Sequence, residues 1–211
     1  MIWLKILPCG PFQTNAFLVG AEDSDEAVLI DAPPDCYTDV QKVLGSAGRR
    51  LSAVLITHPH FDHTLDTHRF SGNDIAVYAH PDAADDIENP ETLGLIPEPD
   101  GGFPGGRVTD MISGGEHLSL AGLEFDVLEV PGHSPGSLAF SIPDAEICFP
   151  GDVIFQDSIG RTDLPGGDFE TLASSIRTAL YTLEDSTVLY PGHGPKTSVE
   201  REKRSNPFVK L

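Results

Sequence analysis

Four apolar, strand-like runs in this chain each end in residues that can bind a metal ion, and a fold must bring those four ends together. "AVLIT" runs into His58, His60, Asp62 and His63, and "FDVLEV" runs into Pro131-Gly132-His133. "EICF" leads to Pro150-Gly151-Asp152, and "TVLY" to Pro191-Gly192-His193. Rigid strands can deliver side chains from distant parts of the chain to one point, and Pro-Gly turns let the backbone bend sharply beside it. Imidazole and carboxylate are ligands that Zn²⁺ prefers and that Fe and Mn accept.

The spacing suggests a division of labour. In extended backbone His58 and His60 point to the same side and can share one metal, which His133 completes. Asp62 and His63 lie past the bend and can face a second metal together with His193. Asp152, with two carboxylate oxygens, can bridge the pair. Two such ions about 3.5–4 Å apart can share a hydroxide. A lone histidine after a strand is ordinarily a polar loop residue, and His68, His80 and His117 are read that way. The His-x-His-x-Asp-His cluster is more specific, because a solvated loop does not need that order.

The rest of the chain reads as mixed α and β structure. "NAFLVG" and "EAVLIDA" are early strands joined by the acidic turn "AEDSDE". Thr38 is placed to cap a helix with Val40, Val43, Leu44 and Ala47 on its apolar face and Gly48 as its stop. "IAVYA" is a strand, followed by a short helix from Pro81-Asp82. "ENPETLGLIPEPDGGFPGG" reads as a long loop. "HLSL", "LEFDVLEV", "SLAFSI" and "EICF" are short strands. Phe169, Leu172, Ile176, Ala179, Leu180 and Leu183 mark an amphipathic helix, and Thr197 with Glu200 suggests a capping box for a last short helix.

Composition bounds the function. The 211 residues suit one domain spanning 1–211, with 39% hydrophobic residues to form its core. A net charge of −20 opposes nucleic-acid and anionic-membrane partners. No run is long enough for a membrane span, and Pro8 comes too early for a signal peptide, so a cytoplasmic protein is expected. Cys9, Cys36 and Cys148 suit a reducing compartment and form neither a disulfide framework nor a Cys-rich metal site.

The motifs "THPHFDH", "PGHSPGS", "GD" at 151–152 and "GHG" at 192–194 resemble the metallo-β-lactamase superfamily. "QTNAFLV", "GDVIFQDSIGRTDLPGGD" and "PGHGPKTSVEREKRSNPF" are similar to the short type II glyoxalases, the hydroxyacylglutathione hydrolases. The resemblance implies an α/β fold, an αβ/βα four-layer sandwich with a dinuclear metal site at one edge. Carried over by motif, it assigns His58, His60 and His133 to one metal, Asp62, His63 and His193 to the other, and Asp152 to both. It implies a hydrolase that cleaves small S-acyl glutathione thioesters such as S-lactoylglutathione, with two Zn²⁺ ions first and Fe or Mn as alternatives.

In that chemistry a metal-bridging hydroxide attacks the thioester carbonyl, and Asp62 both holds a metal and orients the nucleophile. Asp31 either braces a ligand histidine or turns the chain at a strand end. Arg161 and Asp163 either touch substrate or pair to order their loop, and Lys196 and Arg201 are read as surface charges. The nearest rival is a mononuclear-iron persulfide dioxygenase of the same superfamily, which also has a "GRTD" loop; His193 argues for two metals instead. A β-lactamase, a nuclease and a non-catalytic metal-binding protein rank lower. The charge opposes the nuclease, and retention of all seven candidate ligands opposes the inert protein.

Overall fold

The computed structural model describes residues 1–72, 75–94 and 102–210. The first sheet holds β1 (Ile2–Cys9), β2 (Thr14–Ala21), β3 (Glu26–Ile30), β4 (Arg50–Leu55), β5 (Ala76–Ala79) and β6 (Asp110–Met111), side by side in that order. β1 to β3 pair antiparallel, and β3 to β6 pair parallel. The second sheet contains β7 (His117–Leu120), β8 (Leu123–Glu129), β9 (Leu138–Ile142) and β10 (Ile147–Gly151). After the small hairpin β11 (Ile154–Phe155) and β12 (Ser158–Ile159), it is completed by β13 (Val188–Pro191) and β14 (Thr197–Ser198).

Side-chain alternation explains why two sheets are sandwiched between helices. Along β2 and β3, Phe17, Val19, Val28 and Ile30 face Phe125, Leu138, Phe140 and Phe149 of the second sheet. The intervening Leu18 and Leu29 face outward, onto Val40 and Leu44 of α1 (Cys36–Ala47). β4 repeats the division, with Ala53 and Leu55 inward and Val54 outward. A strand buried on both faces reads as a continuous apolar run, which "AVLI" does. The second sheet's outer face, including Ala139, Cys148 and Leu189, packs on Leu172 and Ile176 of the last long helix. The fold is therefore the αβ/βα four-layer sandwich expected.

α2 (Phe61–Thr64) and α3 (Thr67–Phe70) follow β4, and α4 (Pro81–Glu88) follows β5; α5 (Phe169–Ser175) continues as a π-helical turn through Leu180, and α6 (Val199–Ser205) is the last helix among the described residues. α1 begins two residues before the expected cap. Asp35 enters it in a left-handed conformation, and Asp66, 29 positions on, accepts from the Tyr37 amide at 2.9 Å. A long-range carboxylate thus does the capping expected of Thr38, while Gly48 stops the helix as predicted. α6 is capped by Ser198, one residue past Thr197, whose hydroxyl donates instead to buried Glu202. Leu183 lies beyond the helical residues. β1, the β11–β12 hairpin and the short edge strands β6 and β14 are additions to the sequence reading. Of the long loop, 90–93 forms a 3-10 turn and 95–101 lies outside the described residues.

Strand direction places the site. β8 and β10 are both antiparallel to β9, and β10 is parallel to β13. β8, β10 and β13 therefore run the same way and deliver their C-terminal turns to one edge of the sandwich. Among the described residues no helix is long and apolar enough to cross a membrane.

Candidate metal centre

Seven side chains from four turns meet at that edge. His58 and His60 follow β4, and Asp62 and His63 sit on α2. His133 Nε2 lies 2.9 Å from His60 Nδ1 and 3.3 Å from His58 Nε2, which makes one triad. Asp62, His63 and His193 make a second: His193 Nε2 is 3.2 Å from Asp62 Oδ2 and 3.4 Å from His63 Nε2. Asp152 stands between them, with Oδ1 3.3 Å from His63 Nε2 and Oδ2 3.4 Å from His193 Nε2 and 3.9 Å from His133 Nε2. His68, His80 and His117 stay outside, bonded to the Leu65 carbonyl, the Asp82 amide and Asp126 respectively.

The ring nitrogens that face away from the centre are held too. His63 Nδ1 is 2.8 Å from Asp31 Oδ2, and the same carboxylate accepts from the Thr57 amide and hydroxyl. Asp31 adopts a left-handed φ of 58° to do this, a strained conformation kept because three polar groups converge on it. His133 Nδ1 donates to the Arg161 carbonyl at 2.8 Å, His58 Nδ1 meets Thr57 Oγ1 at 3.0 Å, and His193 Nδ1 donates to the Phe12 carbonyl at 3.2 Å. Such outer bonds fix ring orientation and tautomer, aiming the opposite nitrogen inward. Thr14 and Asn15 also reach the centre, although the sequence reading gave them no role. Their only signal was a polar pair opening an otherwise apolar strand.

The electrostatics separate the triads. Burial, reinforced by the neighbouring imidazoles, holds His58 well below the usual histidine range and His60 at about 3. Burial likewise lowers His133. These three are neutral, the form that ligates metal. Burial also opposes charge on His63 and His193, but Asp152 and Asp31 outweigh it for His63, and Asp152 and Asp62 carry His193 to about 9. Asp152 is pulled well below the carboxylate range despite its burial, chiefly by His63, and Asp62 is lowered by its hydrogen bond from His193.

The residues fit a metal pair. Three neutral imidazoles point lone pairs at one spot, and buried Asp152 Oδ1 has no donor aligned with it although His63 is near. Metal uptake by the Asp62–His63–His193 triad must expel protons from two histidines. Its affinity is expected to climb as pH rises toward about 9, to which Asp152 and Asp62 carry His193, with His63 raised as well. The His58–His60–His133 triad, already neutral, should bind almost equally at about pH 6.5 and about pH 8.5. Stepwise metal titrations at the two pH values check this, and equal pH slopes for both steps would contradict it.

Phe12, Phe61, Leu164 and Arg161 wall the cleft above the centre. Phe12 and Phe61 pack edge to face with centroids 5.6 Å apart. Arg161 is engaged by Asp163 through two 2.8 Å hydrogen bonds, the loop-ordering alternative. Arg201 pairs with Asp157, and Lys196 lies over the Tyr190 ring.

The sequence profile of the metallo-beta-lactamase superfamily matches residues 9–193, from the end of β1 to the last histidine of the centre. The chain belongs to that superfamily. Among its relatives, the hydroxyacylglutathione hydrolase GloC of Haemophilus influenzae is 36% identical, aligned over 98% of this chain and 97% of its own. The crystal structure of BLEG-1, a B3 metallo-beta-lactamase, superposes with a TM-score of 0.91 at 33% identity, covering 99% of this chain and all of that one. TTHA1623, solved in a di-iron-bound form, gives 0.82 at 34% identity, covering 97% of this chain and all of that one. The family match and a relative that is a hydroxyacylglutathione hydrolase support a hydrolase in class, and the His and Asp cluster is able to bind metal.

Proposed function

We propose that this protein is a dinuclear metal hydrolase that cleaves S-acyl glutathione thioesters, S-lactoylglutathione among them. The observation that carries the reading is the pair of triads sharing Asp152 on the floor of an apolar-walled cleft. When bound, a metal pair, Zn²⁺ first with iron as the alternative, supplies Lewis acidity that acidifies water at neutral pH and polarises a carbonyl oxygen. His58, His60 and His133 would hold one ion and Asp62, His63 and His193 the other, with Asp152 placed between the two triads.

Asp62 carries a second duty. Its lowered pKa keeps the carboxylate ionised, and the Thr14 hydroxyl donates to Oδ2 at 3.2 Å, so the group is held in the orientation from which it can align the attacking water. Phe12, Phe61 and Leu164 shield one side of the cleft from solvent and offer an apolar seat for the acyl chain. A thiolate leaves with little need of protonation, which suits a cleft whose histidines are committed to other partners. The likeness to GloC supports the thioester, and the three free, buried cysteines accord with action in the cytoplasm.

The likeness to BLEG-1 favours β-lactam hydrolysis as a second reading. Purified protein carrying its own metal should be assayed with S-lactoylglutathione, other acyl thioesters and nitrocefin. The expected kcat/KM for the best thioester exceeds that for nitrocefin roughly a hundredfold. Faster nitrocefin turnover would replace thioester by β-lactam. One iron per chain, with oxygen uptake on glutathione persulfide, would make the protein a persulfide dioxygenase.

A further inference from the structure

His193 depends on a turn that does not hold itself in place. Residues 191–194 leave β13 at the rim, and the His193 side chain is 28% exposed, whereas that of His63 is fully buried. Three carbonyls of this turn are satisfied by one residue from the other sheet. The Asn15 amide donates to the Gly192 carbonyl at 2.7 Å, and its side-chain Nδ2 donates to the carbonyls of Pro191 and Gly194 at 3.0 and 3.1 Å.

The neighbours of Asn15 work on the same triad. The Phe12 carbonyl accepts a hydrogen bond from Nδ1 of His193, which turns Nε2 toward Asp62, and the buried Thr14 hydroxyl holds Asp62 itself. Gln13 closes the turn between β1 and β2 by donating to the Gly10 carbonyl from both its amide and its side chain. None of these bonds touches His58, His60 or His133; Thr57 is the outer partner of His58, and the Arg161 carbonyl that of His133.

We infer that Asn15 and Thr14 are positioning residues that set the metal affinity of the Asp62–His63–His193 triad without setting that of the other. The inference rests on the two-metal reading above. Asn15→Asp conserves size but replaces an amide donor with a carboxylate facing two carbonyl oxygens, so the turn must move. Thr14→Val conserves shape and removes only the hydroxyl that orders Asp62.

The test is stepwise Zn²⁺ titration of metal-stripped full-length protein against a chromophoric chelator, with thermal midpoints recorded alongside. In Asn15→Asp the dissociation constant of one step is expected to rise about tenfold or more while the other step stays put. Thr14→Val should shift the same step by a smaller factor with an unchanged midpoint. A variant that merely loosened the fold would weaken both steps together, and that result, like no shift in either, overturns the inference. Should Asn15→Asp fail to fold, Thr14→Val decides by the same comparison. A wild-type protein that binds a single Zn²⁺ removes the two-metal reading and this inference with it. A wild type that binds two, with variants that match it, removes the inference alone.

Discussion

Replacing Asp152 with alanine is expected to lower kcat/KM on a thioester by at least ~10³-fold and to reduce metal content below two ions per chain. Losing an outer partner of a metal ligand already costs about 10–100-fold, and Asp152 is nearer to the chemistry than any such partner. Its carboxylate lies within 4 Å of histidines from both triads. Two cations held side by side repel each other, and a shared anion between them is what offsets that repulsion. Without it five imidazoles remain around the centre with Asp62 as the one carboxylate among the candidate ligands. His63, whose proton Asp152 and Asp31 together favour, loses the larger of those two influences.

Asp152→Asn is a useful companion, because it keeps the volume and one carbonyl oxygen but no charge. Its activity should fall between those of alanine and wild type. Elemental analysis with steady-state kinetics on both variants checks the argument. Two retained metals and activity within about tenfold of wild type in the alanine variant would show that Asp152 is not the shared ligand.

Much of this centre is legible in the sequence because its chemistry is written in residue types that have few other uses. His58, His60, Asp62 and His63 fall within six positions, and His133, Asp152 and His193 each follow Pro-Gly after an apolar run. Strand polarity does the rest: runs that alternate between two cores must lie in a sandwich, and parallel strands share an edge. Asp31 was readable as a candidate brace, and the structure brings it to His63 and to Thr57.

What escaped the sequence was decided by partners far away in it. α1 starts early because Asp66, just ahead of α3, supplies a cap from elsewhere in the chain. Asn15 holds a turn 176 residues on, and nothing within its own strand announces that. β1 was hidden by Lys5 and Pro8, residues that an edge strand tolerates and a central one does not. The capping box at Thr197 was displaced because buried Glu202 took the threonine hydroxyl for itself. Local pattern thus reveals which residues can carry the chemistry, and only tertiary contact reveals which ones hold them still.

The Pro-Gly-His turns carry a prediction of their own, at Gly192. A β-carbon built there would collide with Asp152 Oδ1 and lie 2.5 Å from His63 Cε1. The turn cannot swing aside cheaply: the Gly192 amide donates to the Gly151 carbonyl at 3.0 Å, and the Gly192 carbonyl accepts from Asn15 at 2.7 Å. The added methyl must therefore displace the ligands themselves. Gly192→Ala is expected to lower activity by at least ~10²-fold, since a displacement of about 1 Å at a reacting centre costs that much. Overpacking should cost stability by only about 1–3 kcal/mol, so the protein should fold and fail to hold its metals.

Gly194→Ala, two residues on, separates steric from backbone effects. Gly194 has a left-handed φ of 73°, and nothing lies within 4 Å of a β-carbon there. Its alanine variant should pay about 1–2 kcal/mol of backbone strain and yet keep most of its metal. Metal content and thermal midpoints of the two variants, measured together, distinguish the cases. If Gly192→Ala retained wild-type metal content, the close approach of the turn to Asp152 and His63 would not be what excludes a side chain. If Gly194→Ala lost its metals to the same degree, strain in the turn, and not contact with the ligands, would govern the site.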